Sequence, residues 1–312
     1  MDIAAKQAEL DAVTWYHEFD FGNGLRTRTH CHQIEQHRHI WEFVEGQLAG
    51  VDFRGKSVLD IGAWDGYWSF HAETRGARAV LASDDLGQNW SAGRGIHLAK
   101  ELLGSAVEID QNLSVYDLAA RGRTFDVILF MGVYYHLHDP FYALSQIRHC
   151  CHPGTVVVVS GPVGLKAGSN ASLYNFADHN CEWLPADGAL KQLLAASYFT
   201  EPKGAYYDSS AGAPPPGRLG WRWRLKMAAA ALRGSRPDMS GRLAEVLPAD
   251  DANRLAVLTC APHEGEVPLH FYRPPFGLHA YDPRFRDAPP AAPPRNAPCF
   301  PARRVHTVGI PL

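Results

Sequence analysis

The chain has 312 residues, enough for one large domain with additions, and 46% of them are apolar, which supports a buried core and excludes wholesale disorder. A formal net charge of −3 argues against a surface coated in basic groups for nucleic acid. No run reaches the roughly 18 apolar residues that cross a bilayer, and the opening MDIAAKQAELDAV lacks the apolar stretch of a secretory leader. Six cysteines, two of them adjacent at Cys150 and Cys151, read as reduced and mostly buried thiols of a cytoplasmic protein.

The first 50 residues read as an extension with one helix, about 33–48, whose Ile34, His37, Trp41, Val44 and Leu48 share a face while His39 points elsewhere. The spacing in THCHQIEQHRH, residues 29–39, fits no usual zinc pattern, so no metal is expected. SVLDI, 57–61, is a short buried strand; Asp65-Gly66 then opens a helix, with Asp65 as its N-cap and Gly76 at its end. RAVLAS, 78–83, is a second strand ending at Asp84-Asp85. A helix near 91–103 and a weak strand at 106–109 follow. FDVILFMG, 125–132, is a fourth strand, and Pro140 starts a helix that Pro153-Gly154 ends. TVVVVSG, 155–161, has the β-branched run of a strand buried on both faces. Strand alternating with helix predicts an α/β fold, a Rossmann-like parallel sheet with helices on both faces.

Beyond it, 186–199 predicts a helix, and GAYYD and RLAVLTCAP predict strands separated by an insertion at about 209–254. The expected organisation is an extension or lid over 1–50, a main domain over 51–282 and a Pro-rich tail over 283–312. No internal repeat is visible.

VLDIGAWDGYWSF, 58–70, runs strand, glycine turn, helix. A dinucleotide turn needs G-x-G-x-x-G, and a phosphate loop needs Gly-Lys-Ser/Thr; neither is present. S-adenosylmethionine has no phosphate and asks for something else. Its ammonium wants a carboxylate, and Asp60 ends the first strand; its ribose diol wants another, and Asp84 ends the second. Ligands of open α/β sheets bind at such strand ends. Gly62 is expected to let the ligand approach the backbone and Gly66 to let the first helical turn come close. The indole of Trp64 either covers the cofactor or packs beneath the turn.

Asp60-x-Gly62-x-Trp64-x-Gly66 resembles motif I of class I S-adenosylmethionine-dependent methyltransferases, with Trp64 in place of the middle glycine. WDGYWSF, FDVILFMGVYYHLHDP and WYHEFDFGNG look like the branch that contains tRNA wobble-uridine (carboxy)methyltransferases. The resemblance spans residues 15–165 and implies S-adenosylmethionine as cofactor. Matching NLSVYDL to the family's adenine-binding acid gives Ser114, with Asp117 left to cap the next helix. Tyr135-His136 matches the Tyr-His of the wobble-uridine enzymes, where the tyrosine helps grip the cofactor.

Methyl transfer from a sulfonium needs an aligned and, where required, deprotonated acceptor. The end of the fourth strand offers Met131 beside the cofactor, Tyr135 to orient the acceptor and His136 as base or as a backbone partner. Tyr134 and His138 are substrate candidates there, and Asp139 is expected to start the helix. Trp15, Tyr16 and His17 either close over the pocket or dock the extension. A carboxylated cofactor would want a cation such as Arg26 or Arg28. Arg218, Arg222 and Lys226 form a basic stripe in the insertion, read either as an RNA contact or as a lid helix. The preferred reading is methylation of a small metabolite at O, N or S, without a membrane partner. The alternatives are a tRNA wobble-uridine methyl- or carboxymethyltransferase and a non-catalytic cofactor-binding scaffold.

Overall fold

The computed structural model describes residues 2–31, 34–87, 91–164, 170–174, 181–208 and 254–286. The extension holds two helices rather than one. The first, α1 (Ile3–Asp11), is capped by Asp2, whose carboxylate accepts from the Ala4 and Ala5 N–H groups. It buries only Leu10, so it carries no apolar stripe to read. A small hairpin, β1 (Asp20–Gly22) and β2 (Leu25–Arg26), leads to α2 (Ile34–Leu48). Trp41, Val44 and Leu48 of α2 are buried, and His39 is exposed, as the helical spacing requires.

The main domain runs β3 (Ser57–Ile61), α3 (Tyr67–Thr74), β4 (Ala79–Ser83), α4 (Arg94–Leu103), β5 (Glu108–Asp110), β6 (Phe125–Met131), α5 (Pro140–His149) and β7 (Cys151–Val163). Then come β8 (Ser172–Tyr174), β9 (Trp183–Pro185), α6 (Asp187–Ala196), β10 (Lys203–Asp208) and β11 (Arg254–Cys260). Seven strands form one sheet in the order β10-β11-β7-β6-β3-β4-β5. Pairing is parallel from β5 to β7, and β11 runs against both neighbours. The chain leaves β3 toward β4 and returns to β6 on its other side. The switch point, where such sheets bind ligands, therefore lies between β3 and β6.

Alternate residues of the central strands feed two cores. Leu59, Ile128, Phe130 and Val157 face α5 and α6, while Val58, Val127, Leu129 and Val158 face α2 and the extension. The extension thus joins α3 and α4 in one of the sheet's two covering layers.

Pro153-Gly154 does not separate helix from strand. The helix has already ended at His149, and both residues lie inside β7, where pairing jumps from Phe125↔Cys151 to Val127↔Val156. A bulge absorbs the residues that cannot join the ladder. β8 and β9 form a separate antiparallel pair that the sequence does not announce. Pro283–Arg286 makes one helical turn, so the start of the Pro-rich segment is regular. The basic stripe Arg218, Arg222 and Lys226 and the tail beyond 286 lie outside the described residues. Among the described residues, no helix is long and apolar enough to cross a membrane, and five cysteines are free thiols.

Candidate functional site

The turn after β3 has three left-handed residues: Gly62 (φ 69°), Trp64 (φ 51°) and Gly66 (φ 81°). Trp64 therefore keeps the backbone a glycine would adopt, at a strain cost that glycine would not incur. A Cβ on Gly62 would meet Val133 Cγ2 at 2.5 Å, and one on Gly66 would meet Phe70 Cε2 at 2.6 Å and Ile96 Cγ1 at 2.7 Å. Both glycines make room for the protein's own side chains. Gly62 in particular packs against Val133 of the loop after β6.

Asp60 is 2% exposed, and the Ser69 hydroxyl donates to its Oδ2 at 2.6 Å. Burial pushes its carboxyl up to about 7, and the charges of Asp84 and Asp65 add to the shift. Asp84 is half-buried at the end of β4; the N–H groups of Trp64 (3.1 Å) and Asp85 (2.8 Å) donate to its two oxygens. The motif turn and the second acid are thus joined directly. Asp60 and Asp84 place two carboxyl groups beside one turn.

Asp65 does not cap α3. Gly66 holds that position without a side-chain bond, and the Tyr67 N–H is 3.4 Å from Asp65 Oδ1. The buried carboxylate turns instead to the extension. Its Oδ2 accepts from the N–H groups of Tyr16 (3.1 Å) and His17 (2.8 Å), and its Oδ1 lies 2.8 Å from His17 Nδ1. His17 holds the Asp65 carboxyl below the usual carboxylate range despite burial. Trp15 is 1% exposed, donates its indole N–H to Leu10 O at 2.9 Å and packs edge-on to Phe19. Trp15 and His17 dock the extension rather than present themselves to a substrate.

The loop after β6 divides its aromatic residues. Tyr134 is 1% exposed, packs within the α5–α6 core and donates to Pro162 O at 2.7 Å, so it is a core residue and not a substrate contact. Tyr135 is half-buried, and burial raises its phenol well above the ordinary value, with Tyr16 contributing. His136 is exposed, its ring 4.1 Å from that of Tyr135. His138 is exposed and lies 3.3 Å from Glu182 Oε2. Asp139 caps α5 through the Tyr142 N–H, as expected. Met131 closes β6 as a buried residue. Ser114 caps the 3-10 turn Val115–Arg121, displacing Asp117 from that role. Arg26 is exposed and paired with Asp20, and Arg28 is exposed.

Of the aromatic cluster at 15–17, Tyr16 also meets the site: burial pushes its phenol up to about 12, and its N–H donates to Asp65 Oδ2. One contributor escaped the sequence reading. Glu182, carried in beside β9, pairs with His138 and donates its N–H to Tyr135 O at 2.8 Å. Next to this loop opens a cleft of about 410 Å³ lined by Asp139, Tyr174, Trp183, Gln192 and Leu269 among others. Among the described residues no group of His, Cys, Asp and Glu side chains could hold a metal ion.

A family described as a methyltransferase domain matches residues 34–200. A tRNA U34 carboxymethyltransferase of Azotobacter vinelandii is 28% identical over 166 residues, covering 52% of this chain and 50% of that protein. A ubiquinone biosynthesis O-methyltransferase of Cereibacter sphaeroides is 31% identical over 192 residues, covering 59% and 73%. The chain spans no more than half the length of the tRNA enzymes it matches first. Among solved structures, the N-terminal domain of EvdMO1, determined in the presence of SAH and D-fucose, superposes with a TM-score of 0.52 at 15% identity, covering 84% of this chain and 98% of that one. At that identity the likeness is one of fold.

Proposed function

The chain belongs to the methyltransferase-domain family, and from that premise we propose how its site is used and what it methylates. It is an S-adenosylmethionine-dependent methyltransferase with a class I fold. The site suits that cofactor: half-buried Asp84 is already oriented by two backbone N–H groups, and Asp60 lies beneath the turn with an elevated pKa that a nearby cation would lower. When bound, the cofactor supplies an electrophilic methyl group on a sulfonium. In our reading Asp84 accepts the ribose hydroxyls, Asp60 balances the ammonium, and Ser114 and Met131 border the adenine and the methyl donor. Trp64 carries the turn's N–H to Asp84. Tyr135 orients the acceptor, and exposed His136 takes its proton, with His138 held nearby by Glu182.

For the acceptor, we propose the wobble uridine of a tRNA. The observation that carries this is the recurrence of tRNA U34 carboxymethyltransferases among the relatives. They favour it over the small-metabolite reading preferred from sequence. A small oxygen nucleophile is the second reading. It draws on the net charge of −3 and on the match to 73% of an O-methyltransferase.

Binding of tRNA across a salt series decides between them. Three or four phosphate contacts from Arg218, Arg222, Lys226 and a neighbour give a log–log slope of about −3 to −4. Gln substitutions at those three positions should flatten the slope and leave cofactor affinity intact. Mass spectrometry of digested tRNA should then find the new group on the wobble nucleoside. Negligible tRNA binding at physiological salt, with methyl transfer to a phenol or alcohol, would establish the second reading instead.

A further inference from the structure

Asp65 sits inside the cofactor turn yet makes its shortest hydrogen bonds to the extension, its own helix offering only the Tyr67 N–H at 3.4 Å. It is 1% exposed, and its main hydrogen-bond donors come from a segment far upstream: Tyr16 N–H, His17 N–H and the His17 ring. The His17 imidazole is 5% exposed and stacks on Tyr67, the first residue of α3, at 4.5 Å and 14°. Trp41 of α2 and Trp68 of α3 enclose it further. Its other nitrogen, Nε2, is buried without a hydrogen-bond partner among the described residues. The ring's one polar contact through its side chain is therefore the bond to Asp65.

Without the His17 ring, Asp65 keeps the Tyr16 and His17 N–H groups on Oδ2, but its buried Oδ1 is left with only the Tyr67 N–H at 3.4 Å. A buried acceptor short of a donor is costly enough to shift the turn. That rearrangement would reach the cofactor. The residue before Asp65 is Trp64, held left-handed, and its N–H donates to Asp84 Oδ2. A continuous chain of contacts runs from His17 through Asp65 and Trp64 to the acid assigned to the ribose.

We propose that His17 is a positioning residue for methyl-donor binding: by holding Asp65 it fixes the turn that presents Trp64 N–H and Asp84 to the cofactor. The inference rests on the cofactor reading above. Docking of residues 15–17 and binding of S-adenosylmethionine are then coupled, each strengthening the other. The extension is part of the cofactor site and not merely a cover on the sheet.

Two substitutions separate donation from packing. His17→Phe keeps an aromatic ring against Tyr67 and removes the donor; His17→Asn keeps an N–H near the Nδ1 position and loses the ring. Calorimetry with S-adenosylhomocysteine should show His17→Phe weakening affinity about tenfold to a hundredfold and His17→Asn within about threefold of the native chain. In the His17→Phe background, Asp65→Asn should cost little further affinity, because the two residues act as one unit. A purely structural stack predicts the reverse ranking, and that ranking overturns the inference. Should the phenylalanine variant not fold, the asparagine variant decides alone, and a tenfold or greater loss with it counts against us. If the native chain binds neither S-adenosylhomocysteine nor S-adenosylmethionine, the cofactor reading itself fails. Native binding with unchanged affinity in His17→Phe overturns only the role of His17.

Discussion

Asp60 and Asp84 stand at the ends of two adjacent parallel strands whose register is fixed from Ser57↔Ala79 to Ile61↔Ser83. Tyr135, His136 and His138 hang instead on a loop after β6, and what surrounds them arrives from elsewhere: Tyr16 from the extension and Glu182 from the β8–β9 region. In the reading proposed above, the strand-end acids of the cofactor half are placed by backbone that the sheet dictates. The acceptor half is placed by tertiary docking. Folds of this kind can therefore keep one donor and change acceptors through their loops, with residues 15–17 as the point in this chain where the two halves touch.

The largest expected effect tests the rigid half. Asp84→Ala removes two charge-assisted hydrogen bonds to the ribose and also frees the Trp64 N–H. It should weaken S-adenosylmethionine binding by ~2–4 kcal/mol. Calorimetry on a folded variant with unchanged affinity would move the cofactor away from the β4 end. The matching test of the docked half is His136→Ala, which should lower turnover about a hundredfold while cofactor affinity stays near the native value. If stability falls and turnover holds, the ring against Tyr135 is packing only.

A smaller and pH-dependent effect follows from Asp60. Its folded-state carboxyl titrates near 7, above the ordinary value of 3.8, so the native chain holds a proton that the unfolded chain has lost between those values. Stability of the cofactor-free protein should accordingly decline as pH rises from 4 toward 7. Affinity for S-adenosylmethionine should move the other way, because its ammonium prefers the ionised carboxylate. It should rise by up to about tenfold per pH unit within that window and level off above pH 7. Asp60→Asn should flatten both curves. A native affinity flat from pH 5 to 8 would leave Asp60 as a structural acid bonded to Ser69.

This difference between the halves also explains what could be read in advance. The strand–turn–helix of motif I, the acids at the strand ends and the central sheet strands were all legible, because hydrophobic alternation and strand-end position follow from local sequence. Asp65 was misread because a residue before a helix ordinarily caps it. Only the fold shows that Tyr16 and His17 reach it first. Glu182 carried no signal at all, since nothing local links it to His138. At Gly62 the close neighbour on the Cβ side is Val133, a contact that nothing local in the sequence announces.

Tyr134 draws the boundary between the halves most sharply, with the smallest effect. It adjoins Tyr135 in sequence, and the pair could equally have served the acceptor. Gly161 makes space for its ring, since a Cβ there would come within 2.7 Å of it, and its hydroxyl donates to Pro162 O on β7. Tyr134→Phe deletes that one hydrogen bond and keeps the packing, so it should lower stability by ~1 kcal/mol. Denaturant midpoints would register the change, and cofactor affinity and turnover should stay at native values. The opposite pattern, an unchanged midpoint with turnover reduced tenfold or more, would mean that Tyr134 leaves the core to meet the acceptor. The docked half would then extend one residue closer to the sheet than its burial implies.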